Sequence, residues 1–204
     1  MTMTTETLDL YWIPLGAGAR VVRTSGKIYE AISSLVQGPE RCGLYHSVLV
    51  ARTEDGPVFL EMAPEFDDRG YSDRGVVATG AVGSRVLGRF PLFRYEVRRW
   101  RNGVIPDLEY AVGGAVRITD DTTLVQAVLD RLPDVPTPVW GRDELHTGDM
   151  WNSNSVISWA LASIGAEACA GAPPGRGRAP GWAAGVAIAH RDDAQKAETQ
   201  SRTR

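Results

Sequence analysis

Three side chains in this sequence have the types that acyl-transfer chemistry needs: His46, Glu61 and Ser153. A histidine can take and return a proton near neutral pH, because its unperturbed pKa lies close by. A serine hydroxyl becomes a nucleophile when such a base removes its proton, and a carboxylate can orient the imidazole and stabilise its cation. His46 stands in the apolar stretch LYHSVLVA, residues 44–51, and Glu61 in PVFLEMA, residues 57–63. Ser153 lies far downstream in WNSNSV, residues 151–156, where an apolar helical run begins. A hydroxyl in the first turn of a helix sits beside unpaired backbone N–H groups and the positive end of the helix dipole, which suit a developing oxyanion.

These placements depend on the elements around them. Residues 44–51 and 57–63 flank the turn-like stretch 53–56 and read as a β-hairpin with His46 on one arm and Glu61 on the other. Further strands are predicted over 75–83 and 92–101, with a polar loop at 66–71. In the second of these strands Phe93, Tyr95 and Val97 alternate with Arg94, Glu96 and Arg98, which predicts one wet face and places Arg98, Arg99 and Arg101 on a solvated surface. Helices are predicted over 25–37, with Ser25 as N-cap and Gly38-Pro39 as a stop, over 121–132 behind Asp121, and over 152–164 ahead of Gly165. Pro133, Pro136 and Pro138 stiffen the connector before Trp140. The segment GAPPGRGRAPGW, residues 171–182, lacks the strand and the Lys-Ser/Thr helix of a phosphate loop and reads as a mobile surface loop. Residues 1–190 form one domain in this reading, and the charged residues 191–204 a disordered tail.

A strand histidine, a glutamate on the next strand and a nucleophile opening a later helix, in that order, resemble the circularly permuted papain-like superfamily. It includes the PPPDE peptidases, the lecithin:retinol acyltransferase-like enzymes and relatives of the NlpC-type cell-wall peptidases. The family histidine follows an aromatic or small residue in an apolar strand, as in Tyr45-His46-Ser47. Its nucleophile often appears as Asn-Cys-Asn-Ser/Thr, and Asn152-Ser153-Asn154-Ser155-Val156 is similar, with serine at the cysteine position. Phe59-Leu60-Glu61-Met62-Ala63 resembles the glutamate phrase of some bacterial branches.

The resemblance runs over residues 25–165 and implies an α+β protein, an antiparallel β-sheet packed against about three helices. It further implies a hydrolase or acyltransferase acting on an amide or ester, with Ser153 as nucleophile, His46 as base and then acid, and Glu61 as orienter. Tyr45, Trp151, Asn152, Asn154 and His146 would line the substrate site, and neither cofactor nor metal is expected. Serine is the departure from the pattern, because cysteine is intrinsically nucleophilic while a serine hydroxyl depends wholly on its base. The alternative is therefore an inactive relative that binds a peptide, lipid or protein partner.

Each residue also has a plainer reading. His46 can be a satisfied core histidine, Ser153 an N-cap like Asn152 or Ser155, and Glu61 a charge on a wet strand face. Trp159 reads as core, whereas Trp140 and Trp151 fit either core or the floor of a pocket.

Composition narrows the partners. Lys plus Arg number 22 against 25 Asp plus Glu, a net charge of −3, which is too balanced to predict nucleic acid or an anionic membrane. The partner expected is a peptide, amide, ester or lipid-like small molecule. Cys42 and Cys169 form no C-x-x-C pair and read as inert; His46, His146 and His190 form no zinc motif. With no signal-like N-terminus and no run of about 20 apolar residues, the expectation is a soluble cytoplasmic protein without a membrane span.

Overall fold

Strands buried on both faces lose the apolar-polar alternation of a half-wet strand, and the middle of this sheet shows it. In the computed structural model, which describes residues 5–15, 43–65 and 74–202, β1 (Thr7–Pro14), β2 (Tyr45–Thr53) and β3 (Gly56–Pro64) are apolar almost throughout. With β4 (Val76–Ala81), β5 (Arg94–Arg101) and β6 (Val116–Thr119) they form one antiparallel sheet in the order β4-β5-β3-β2-β1-β6. The β2-β3 hairpin turns where the sequence predicts it. β1 and β6 were not anticipated; β1 begins in a stretch of threonines and acids that reads as a polar terminus.

Among the described residues three α-helices complete the α+β architecture: α1 (Thr122–Arg131), α2 (Ser153–Ala162) and α3 (Trp182–Arg202). Asp121 caps α1 as expected, accepting the Thr123 N–H at 2.8 Å. One face of the sheet, including Leu8, Leu10, Leu49, Leu60 and Val97, packs against Val125 and Val128 of α1 and Ile157 and Leu161 of α2 in the main core. The other face carries a smaller cluster of Ile13, Val48, Val50, Phe59 and Trp100. No helix among the described residues is long and apolar enough to cross a membrane. The helix predicted over 25–37, the loop at 66–71 and Cys42 lie outside the described residues.

Three expectations change. The face of β5 predicted to be wet is buried: Arg98 is 1% exposed and Glu96 5%. Burial is tolerated there because the charges pair, Arg98 Nε donating to Glu96 at 2.9 Å, Arg74 donating twice to the same carboxylate, and Arg98 Nη2 donating to the Pro64 carbonyl. The tail from Arg191 is not a disordered segment but continues α3 to Arg202. It holds no proline or glycine, and Asp192 accepts from the Trp159 indole while Arg191 donates to the Leu145 carbonyl.

The third change concerns residues 171–182, read as a mobile loop. The Arg178 N–H donates to the Gly43 carbonyl at 2.6 Å and the Tyr45 N–H donates to the Arg178 carbonyl at 2.9 Å, so this segment is hydrogen-bonded onto the start of β2. Gly177 permits the approach, since a Cβ there would lie 2.3 Å from the Tyr45 ring and 2.6 Å from the Gly43 carbonyl oxygen. Close packing of glycine governs the helices too. A Cβ on Gly185 of α3 would fall 2.0 Å from the Ser155 carbonyl oxygen of α2. With no side chain at that point, Ser155 Oγ donates to the Gly181 carbonyl at 2.7 Å and Ser158 Oγ to the Trp182 carbonyl at 2.8 Å.

Candidate functional site

The site begins where two strands of the hairpin part. β2 and β3 are paired from Thr53↔Gly56 to Leu49↔Leu60, while β2 stays paired to β1 as far as Tyr45. The Leu44 carbonyl bonds to Leu15 on the β1 side, so the backbone groups of Tyr45 point the other way. The start of α2 meets them: Asn154 Nδ2 donates to the Tyr45 carbonyl at 2.9 Å, and Ser47 Oγ donates to Asn154 Oδ1 at 2.8 Å.

α2 starts here because Asn152 is a strong N-cap. Its Oδ1 accepts the N–H groups of Asn154 and Ser155, and Ser155 Oγ accepts the Asn152 N–H to close a capping box. Asn152 Nδ2 and Asn154 Nδ2 both donate to the Pro180 carbonyl. Ser153 is thus the first helical residue, and its Oγ lies 3.3 Å from His46 Nδ1. The two sequence-predicted residues are brought into hydrogen-bond reach. The cap leaves fewer free donors than the sequence implied, because the Asn154 and Ser155 N–H groups are already taken. Among the described residues only the Ser153 N–H of that turn makes no hydrogen bond.

Burial pushes the His46 imidazole down from its ordinary range to about 4. It is therefore neutral at physiological pH, and one ring nitrogen has a lone pair to receive a proton. Among the described residues Ser153 is its only hydrogen-bond partner. Glu61, expected to orient the imidazole, accepts from Arg98 Nη1 at its Oε1 at 3.3 Å and belongs to the ionic group around Arg98. The pair is a dyad.

The predicted lining residues divide differently. Tyr45 and Trp151 are buried in the main core, and so is Trp140, because the connector and the turn after it fold back over the sheet. Asn152 and Asn154 are buried and hold α2 in place. His146 is exposed on the turn ahead of α2, with a positive φ of 51°, and its ring makes no hydrogen bond to the dyad. His190 pairs with Glu167 at 3.2 Å, and Cys169 is an exposed free thiol. Among the described residues no group of three His, Cys, Asp or Glu side chains could hold a metal ion. Sequence reasoning missed the 177–180 segment; Gly177, read as part of a mobile loop, signals close backbone docking instead. The chain matches no protein-family model, and no curated protein or solved structure is significantly similar to it.

Proposed function

We propose that the protein is a hydrolase or acyltransferase acting on an amide or ester bond, with Ser153 as nucleophile and His46 as general base and then acid. One observation carries this reading: the 3.3 Å contact between a strand imidazole and a helix-opening hydroxyl that the sequence separates by 107 positions. The permuted papain-like arrangement is part of the same proposal, supported by the order of histidine strand, following strands and nucleophile helix.

In this mechanism the neutral imidazole accepts the hydroxyl proton as Ser153 Oγ attacks the carbonyl carbon of a peptide-, amide-, ester- or lipid-like small molecule. The oxyanion that forms is met by the Ser153 N–H at the positive end of α2. The imidazolium then protonates the departing amine or alkoxide. Water or a second nucleophile, deprotonated by the same ring, releases the acyl group. A base held near 4 has a small driving force for this transfer, so turnover is slow and survives into acid.

A second reading, a non-catalytic relative that binds a peptide, lipid or protein partner, draws on the engagement of Glu61 by Arg98 and on the serine that stands where the resemblance expects a cysteine. A fluorophosphonate probe separates the two. Covalent labelling of the wild type, abolished in Ser153→Ala and in His46→Gln, is the expected result; a wild type that takes up no label favours the binding protein. Ser153→Cys should gain a thiol that reacts with iodoacetamide faster in the presence of His46 than in its absence.

A further inference from the structure

An exposed cleft of about 410 Å³ is lined by Leu44, Asp149, Met150, Arg178, Ala179 and Pro180. Leu44 lies two residues before His46, Met150 three before Ser153, and the Pro180 carbonyl accepts from the asparagines on either side of Ser153. Neither His46 nor Ser153 lines the cleft, but its lining residues neighbour both along the chain and through the Pro180 carbonyl.

Its two charged groups differ in what they have left to give. Both carboxylate oxygens of Asp149 are engaged by backbone donors, Oδ1 by the Met150 N–H at 2.8 Å and Oδ2 by the Gly181 N–H at 2.7 Å. The guanidinium of Arg178 is exposed, and among the described residues it makes neither ion pair nor hydrogen bond. Its backbone is held on both sides, by the Gly43 carbonyl and the Tyr45 N–H, so the side chain projects from a fixed stem. Asp149 is held by backbone donors and not by Arg178, so the planar donor fork of Arg178, on a rigid mount, is free for the bidentate recognition of an oxyanion.

We infer that Arg178 is the anion-recognition residue of this site, and that the substrate carries a carboxylate or phosphate group on the part that fills the cleft. The inference deepens the hydrolase or acyltransferase reading and rests on it for the word substrate; the subsite itself is tested separately from turnover.

The test uses full-length protein carrying Ser153→Ala, which binds without reacting. Calorimetric titration compares three small probes: monomethyl succinate, methyl phosphate and the neutral methyl butyrate. At least one anion should bind about ten-fold or more tightly than the neutral ester. A second substitution, Arg178→Gln, should erase that preference, and Arg178→Lys should keep part of it. Stronger binding of monomethyl succinate assigns a carboxylate, and stronger binding of methyl phosphate assigns a phosphate. Equal binding of all three, binding of none, or a preference that persists in Arg178→Gln overturns the inference. Arg178 is exposed, so its variants should keep the parental melting temperature. Since nothing is turned over, failure of Ser153 as a nucleophile would appear only in the fluorophosphonate experiment.

Discussion

The two halves of β2 differ in how their edges are satisfied. From Leu49 to Thr53 the strand has β1 on one side and β3 on the other, and its apolar residues fill both cores. From Tyr45 to Val48 β3 has departed, and the vacated edge is taken by an asparagine side chain and by the Arg178 backbone. A continuous ladder leaves no room for a foreign group, whereas a ladder that opens leaves backbone donors and acceptors that must find other partners. Here those partners bring the start of a helix, and with it a hydroxyl, to the strand that bears the histidine. Reactive potential follows from where the ladder stops.

Breaking each half separately should separate activity from stability. The largest effect belongs to the open half: Ser153→Ala should lower kcat/KM by about a thousand-fold or more, with the unfolding free energy changed by less than about 1 kcal/mol. Hydrolysis of a p-nitrophenyl ester and urea titration measure the two. Leu49→Ala, in the sealed half and fully buried, should show the reverse: a loss of about 2–5 kcal/mol in urea unfolding, with kcat/KM of the folded protein kept.

Acid should distinguish the halves as well. The folded protein holds His46 neutral down to about pH 4, while the unfolded chain takes up the proton near 6.5. Between those values only the unfolded state gains it. His46 therefore has no effect on stability above about 6.5 and lowers it progressively towards pH 4, by about 3 kcal/mol in all. Urea unfolding at pH 7 and pH 4 should show this difference in the wild type and lose that portion of it in His46→Gln; an unchanged difference would mean the ring is not buried neutral. Asn154→Ala should have the smallest effect, about 1–3 kcal/mol, because it strips the buried Tyr45 carbonyl and Ser47 hydroxyl of their partner. It should also lower kcat/KM, and Asn154→Asp should not restore it, since the carboxylate cannot donate to the Tyr45 carbonyl.

Much of this fold was legible because local signals agreed with tertiary demand. The hairpin announced itself through two apolar runs around a polar turn, α1 through Asp121, and the approach of Ser153 to His46 through the order of motifs. What stayed hidden depended on contacts remote in sequence. Arg98 and Glu96 alternate as a wet face should, and only their mutual pairing with Arg74 and Glu61 lets them be buried. The glycines near Arg178 and the end of α3 were misjudged alike, because composition reports what a segment does alone and omits what docks against it.

The missing side chain at Gly185 has a consequence for the contact between Ser153 and His46. α3 lies against α2 so closely that a single methyl group there would overlap the Ser155 carbonyl, two residues along the chain from the hydroxyl that faces His46. The separation of the two helical axes is thereby a gauge for the distance between the Ser153 hydroxyl and the His46 imidazole. Widening it would lever the serine off its mark while Ser153 and His46 both remained in their native chemical form.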